Sequence, residues 1–202
     1  MSDPDALTHT GTAETARKVI HAAAGLGAAA VAWFVPPAAA RAILLCAVLI
    51  ALVIELLRTR VPAVRCRFDA TLGRMLRPAE RRALTGATTL AIGAALAVLF
   101  FPGRIAAIGI LYAALGDAAA ALVGRRFGRH AYRPGRTIEG TAAFFATSLL
   151  IGWAAPGAGF LAAIAAAAAV TLVEAAPIPI DDNVLIPVAG AAASRWIMLL
   201  AI

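Results

Sequence analysis

Residues 105–123 read IAAIGILYAALGDAAAALV, and one charge, Asp117, interrupts an otherwise apolar run. A helical bilayer crossing takes about 20 residues, so this segment is long enough to span. A carboxylate at the centre of such a helix costs roughly 2.5–3.5 kcal/mol; it calls for a partner or a function. Asp117 sits between Gly116 and an alanine run, about 10 Å along the helix axis from Gly124. The small residues around it form a face that another helix or a phosphate can approach closely. A metal ion or an arginine would resolve the charge, and a carboxylate paired with arginine merely to pack two helices is the plainer alternative.

Six more apolar runs flank this one: Val19–Val35, Ala38–Leu57, Ala83–Phe101, Thr141–Ala155, Ala158–Ala176 and Val184–Ile202, the fifth span of the chain starting as early as Thr137. In 202 residues, 62% hydrophobic and only 14% charged, with a mean hydropathy of +0.87, seven spans leave no room for a separate soluble domain. Disordered, collagenous and disulfide-scaffold classes are excluded by the same composition. Cys46 lies in an apolar run and Cys66 in an arginine-rich loop, so no bridge is expected. The fold class that follows is all-α: a polytopic integral membrane protein of about seven transmembrane helices. Residues 1–16 read as a mobile polar tail and 17–202 as a single transmembrane helical catalytic domain. No duplication of one half in the other favours an inverted-repeat transporter.

The basic residues orient it. Arg17 and Lys18 precede the first span, eight arginines (Arg58, Arg60, Arg65, Arg67, Arg74, Arg77, Arg81, Arg82) fill the second loop and five (Arg125, Arg126, Arg129, Arg133, Arg136) the fourth. Only Arg41, Arg104 and Arg195 fall on the other side. The positive-inside rule then makes the N-terminus and the even-numbered loops cytoplasmic and the C-terminus external.

The remaining polar groups cluster at that cytoplasmic edge. Glu14, Arg17, Lys18 and His21 form one stripe of the first helix; a basic flank with an intrahelical Glu14–Lys18 pair accounts for most of it, but not for His21 inside the apolar run. Gly124-Arg125-Arg126-Phe127-Gly128-Arg129-His130 and Pro134-Gly135-Arg136-Thr137-Ile138-Glu139-Gly140 alternate glycine with arginine. Glycines let backbone N–H groups approach an anion, and arginines add charge and fork geometry. Glu139 also suits the start of a helix. The last cytoplasmic segment is acidic instead: Glu174, then Asp181-Asp182-Asn183. Such oxygens suit a hard cation shared with phosphates, although Asp-Asp-Asn also caps a helix. Carboxylates for a metal, cations for polyphosphate and a membrane for the acceptor describe phosphoryl or nucleotidyl transfer to a lipid.

In order and spacing these motifs resemble the CTP-dependent lipid kinase family of dolichol kinase, phytol kinase and the yeast-type diacylglycerol kinase. The matching pieces are Arg17-Lys18-x-x-His21, Glu55-x-x-Arg58, Pro78-x-Glu80, Thr85-Gly86, Gly116-Asp117-Ala-Ala-Ala with Gly124-Arg125-x-x-Gly128, Arg136-Thr137-x-Glu139-Gly140, and Glu174 with Asp181-Asp182-Asn183 and Pro187. The resemblance implies transfer of the γ-phosphoryl of CTP, with Mg²⁺, to the hydroxyl of a membrane lipid alcohol such as a polyprenol, phytol or diacylglycerol. It implies a bacterial-type inner-membrane enzyme with its site facing the cytoplasm, and no nucleic-acid partner. It assigns Asp117, Asp181, Asp182, Asn183 and Glu174 to the metal, and Arg17, Lys18, Gly116, Gly124, Arg125, Gly128, Arg129, Arg136, Thr137 and Gly140 to the nucleotide. Arg17 and Lys18 would stabilise the transferring group, and Asp117 or Glu139 would take the hydroxyl proton. The family's usual lysine before Thr137 is Arg136 here, which keeps charge and alters shape.

Two other readings come from different classes. A lipid-phosphate cytidylyltransferase would also use CTP, but the glycine-histidine-rich stretch of those enzymes is missing from this sequence. A transporter or structural membrane protein would use the acids to carry ions or pair helices; transporter sites lie nearer the midplane. Gly and Ala faces can pack within one chain or between two, so the oligomeric state stays open.

Overall fold

Proline opens the first helices: Pro4 begins α1 (Pro4–Phe34), Pro37 begins α2 (Pro37–Arg60) and Pro62 begins α3 (Pro62–Leu72). At a helix's first turn proline's missing N–H goes unused and its fixed φ is already helical. The structure is a computed structural model that describes residues 4–76, 80, 83–157 and 159–200. After a short 3₁₀ turn (Gly73–Met75) come α4 (Gly86–Phe100), α5 (Gly103–Leu111), a π-helical turn (Tyr112–Gly116), α6 (Asp117–Phe127), the hairpin strands β1 (Ala131–Arg133) and β2 (Arg136–Thr137), α7 (Ile138–Trp153), α8 (Phe160–Ala175) and α9 (Asp182–Leu200). Threonine caps two of these helices: Thr85 accepts from the backbone N–H of Thr88, and Thr137 from that of Gly140 at 3.1 Å.

The described chain is thus all-helical apart from one antiparallel hairpin. α2 and the continuous run Gly103–Phe127 are long and apolar enough to cross a membrane, and α4, α7 and α8 are shorter apolar helices. Each expected span coincides with one helical segment. The fifth begins at Ile138 rather than Thr141, in keeping with a start near Thr137.

Three stretches differ from the sequence reading. The segment taken as a tail continues α1 back to Pro4. The arginine-rich second loop contains α3, a helix with no buried residue that packs on the end of α2. The glycine-arginine fourth loop folds into the β1–β2 hairpin, turned by Gly135 at φ 74°. Arg77, Pro78, Arg81 and Arg82, and the side chain of Glu14, lie outside the described residues.

α9 occupies the middle of the bundle, packed by α4, α5 and α8; α7 lies between α6 and α8, α1 covers α4 and α5, and α2 rides on the outside of α4. The close approach of α9 rests on two glycines. A Cβ on Gly93 would stand 2.1 Å from the Asn183 carbonyl oxygen, and one on Gly109 2.1 Å from that of Pro187. Only bare backbone fits there, and it allows Cα–H···O contacts of the kind that recur at helix–helix interfaces. The core divides by level. Ala29, Leu44, Ala94, Val98, Ala106 and Ile110 fill the end where α1 and α4 finish, and Leu90, Ile108, Tyr112, Phe144, Val170 and Ile186 fill the middle.

Aromatic side chains ring the first of these ends. Phe34, Phe100, Trp153 and Phe160 are exposed there, Trp153 meeting Phe160 edge-on at 5.9 Å and Arg104 lying 5.8 Å over the Trp33 ring. Because the helices alternate in direction, the starts of α1, α4, α7 and α9 and the ends of α2, α6 and α8 all gather at the opposite end. Nearly every polar group singled out from the sequence lies at that opposite end.

Candidate active site

A cleft of about 730 Å³ opens where these helix ends meet the hairpin. α1 lends it Arg17 and Lys18, α6 Asp117 and Arg125, the hairpin Arg133 and Arg136, α8 Glu174, and the start of α9 Asp181, Asp182 and Asn183. Its walls between these charges are small: Ala120, Ala121, Gly124, Gly135 and Gly140. The π turn directly before Asp117 shifts the helical register by part of a turn, a feature found most often at functional sites.

Three ion pairs cross the cleft, centred on Lys18 and Arg136. Lys18, buried on α1, pairs with Asp117, whose side chain keeps 32% of its surface exposed. Arg136 forks between Glu174 and Asp182, tying the hairpin to both ends of the α8–α9 connection. Glu174 is buried and also receives the Thr141 hydroxyl at 3.5 Å. Arg133 donates to the Ala175 carbonyl at 3.1 Å, a second tie between hairpin and α8. Burial in the cleft pushes the Asp182 carboxyl above its usual range; Arg136 opposes this, and repulsion by Asp117 and Asp181 adds to it. Asp181 receives the Asn183 backbone N–H at 2.9 Å, and the Asn183 amide reaches the Thr89 hydroxyl of α4 at 3.1 Å.

A second polar network supports the first from outside. Buried Glu55 of α2 accepts from the Thr85 N–H at 2.8 Å and the Thr88 hydroxyl at 3.0 Å, and pairs with Arg58. Arg58 in turn donates to the carbonyls of Glu80 and Ala83 at 2.9 and 2.6 Å. The loop before α4 is thereby fixed, and Glu80 Oε1, Asn183 Nδ2 and Arg17 Nη1 converge within 4 Å of the space over Gly86. Four motifs far apart in sequence therefore form one connected structure.

Of the residues expected at a nucleotide, Arg17, Lys18, Gly124, Arg125, Arg136, Thr137 and Gly140 line the cleft. Gly116 lies against the Phe144 ring and Gly128 against Thr137 and the Gly124 carbonyl, both serving packing, and Arg129 is exposed away from the cleft. Glu139 is turned elsewhere: it accepts from His130 Nδ1 at 2.7 Å. That bond, with further backbone N–H donors, holds its carboxyl down to about 2. Asp117 is the proton-acceptor candidate that faces the cleft. Sequence reasoning missed Arg133 and Gly135, whose only signal was their place in a glycine-arginine loop.

All five residues assigned to Mg²⁺ edge the cleft. Among the described residues no three His, Cys, Asp or Glu side chains are gathered as a metal cage; Lys18 holds Asp117 and Arg136 holds Asp182 and Glu174. Mg²⁺ is commonly bound by one or two carboxylates plus substrate phosphates, and Asp117, Asp181 and Asp182 fit that mode. Buried Glu174 serves to hold Arg136.

Compared with family models, curated proteins and solved structures, the chain gives no match.

Proposed function

We propose that this chain is an integral membrane lipid kinase that transfers the γ-phosphoryl group of CTP to the hydroxyl of a membrane lipid alcohol (a polyprenol, phytol or diacylglycerol). One observation carries the reading: five cations and four carboxylates share a single cleft at the end of an apolar helical bundle. Polyphosphate needs the cations, its counter-ion needs the carboxylates, and a lipid acceptor needs the bundle. The choice of CTP rests on the motif resemblance alone.

In this reading seven helices span a bacterial inner membrane, with α3 and the hairpin on the cytoplasmic side. The arginine count on that side and the exposed aromatics at the other end support it. Arg17, Lys18, Arg125, Arg133 and Arg136 bind the triphosphate and stabilise charge on the transferring group. Mg²⁺, held by Asp117, Asp181, Asp182 and Asn183, would supply charge neutralisation at the phosphate oxygens. The lipid oxygen attacks the γ-phosphorus, its proton passes to the Asp117 carboxylate, the bond to the β-phosphate oxygen breaks, and CDP leaves.

The test is phosphoryl transfer by purified protein in detergent with Mg²⁺, offering γ-labelled CTP or ATP and a panel of polyprenol, phytol, farnesol and diacylglycerol. Labelled lipid phosphate made by the wild type and lost in Asp117→Ala is the expected result. Pyrophosphate release with phosphatidate and no transfer to any alcohol would replace this reading with a cytidylyltransferase.

A further inference from the structure

His21 lies one turn along α1 from Lys18, about 4.5 Å deeper into the bundle. It keeps 7% of its surface exposed, and its Nε2 has no hydrogen-bond partner among the described residues. The charges acting on its ring are those of Asp117, Lys18, Arg17 and Asp181, all lining the cleft. His21 itself does not line it. The imidazole is thus on the bilayer side of the Lys18–Asp117 pair, while the cations around the cleft are on the aqueous side.

A buried ring nitrogen without a partner forfeits the hydrogen bonds it made in water; a leucine at this point of an apolar helix would not. With the proton on Nδ1, Nε2 is an acceptor. What reaches this depth from the bilayer is a lipid, and a lipid's hydroxyl is a donor. α1 meets α6 here, and the α6 residues that follow Asp117, Ala118–Ala121, are small and half-buried.

Resting on the kinase reading, we propose that His21 Nε2 accepts a hydrogen bond from the hydroxyl of the lipid acceptor and presents that oxygen to Asp117 from the membrane side. His21 is then the acceptor-binding residue and takes no part in holding the nucleotide. A lipid whose hydroxyl is its whole headgroup fits this depth; one bearing a phosphate or a sugar does not.

The experiment pairs kinetics with labelling, using full-length protein. His21→Ala and His21→Gln are compared with wild type for lipid KM, kcat and CTP binding. A farnesol analogue with a diazirine near its hydroxyl is photolysed on all three. The expected result is a lipid KM about tenfold higher in His21→Ala, partial recovery in His21→Gln, CTP affinity within twofold, and wild-type crosslinks on α1 around residue 21 that excess farnesol displaces. An unchanged lipid KM, or equal loss of lipid and nucleotide binding from folded protein, would overturn the proposal. If the wild type transfers no phosphoryl group, the kinase reading fails by itself. The crosslink then decides His21: displaceable labelling there upholds lipid binding, and labelling elsewhere overturns it.

Discussion

Lys18 and Asp117, ninety-nine positions apart, meet as an ion pair that joins α1 to α6 at the floor of the cleft. The lysine is buried and the aspartate partly open, so removing Asp117 leaves a buried charge behind, a loss of about 3 kcal/mol, and removing Lys18 costs less. Lys18→Met and Asp117→Asn are each expected to lower Tm in detergent more than the double variant does. All three should lose transfer by at least about a hundredfold. A double variant less stable than both singles would show that the two residues do not act as a pair.

Arg136 is held as a fork by two carboxylates on different elements, and a lysine cannot bridge both. Arg136→Lys should raise the KM for CTP about tenfold while leaving the fold intact. Glu174→Gln, which loosens one prong, should shift it in the same direction by less. Titrating CTP at saturating lipid separates the two.

Glu139 and Asp117 both qualify as proton acceptor by sequence, but only Asp117 faces the cleft. Glu139→Gln should cost less than about fivefold in transfer and Asp117→Asn at least about a hundredfold. The Glu139 carboxyl is lowered from 4.5 to about 2 chiefly by its bond from His130. Its contribution to stability is therefore complete above pH 4.5 and lost as pH falls through about 2. In His130→Ala the carboxyl should titrate closer to 4.5, visible by infrared spectroscopy of the acid band.

Gly109 meets the backbone of α9 where a Cβ would stand 2.1 Å from the Pro187 oxygen and 2.6 Å from the Ala191 nitrogen. Gly109→Val must push two central helices apart, at a cost of about 1–3 kcal/mol. Thermal unfolding followed by circular dichroism should register the loss. Gly27→Val, with nothing within 4 Å of an added Cβ, serves as the silent control.

Two cysteines report the topology. Both are exposed on the chain surface, yet Cys46 lies well inside apolar α2 and Cys66 on α3 beyond its end. In sealed inverted vesicles a membrane-impermeant maleimide should label Cys66 and spare Cys46. Labelling of Cys66 only in right-side-out vesicles would reverse the orientation.

The helices are readable because each is a long apolar run bounded by polar residues, a pattern written residue by residue along the chain. The convergence of Lys18, Asp117, Arg136 and Asp182 was half readable: each stood out as a polar group at one edge, but their pairing depends on which helices are neighbours. Asp117 was expected to meet an arginine or a metal and meets a lysine instead. The π turn, α3 and the hairpin left no clear pattern. One extra residue in a turn changes no composition, and Arg-rich sequence does not distinguish an exposed helix from a loop. Glu139 misled because a carboxylate in the first turn of a helix satisfies the same pattern whether it turns to the cleft or to His130.

Pro187 has no N–H to offer the carbonyl of Asn183, so α9 leaves the first turn of its own helix without one of its rungs. That carbonyl rests on the backbone of Gly93, and the Asn183 amide holds the Thr89 hydroxyl. The turn that carries Asp182 and Asn183 therefore moves with α4, and α4 is anchored at its head by Glu55 and Arg58. A displacement of the α2–α4 corner would be transmitted to Asp182 and Asn183 as through a lever whose fulcrum is the N–H that Pro187 lacks.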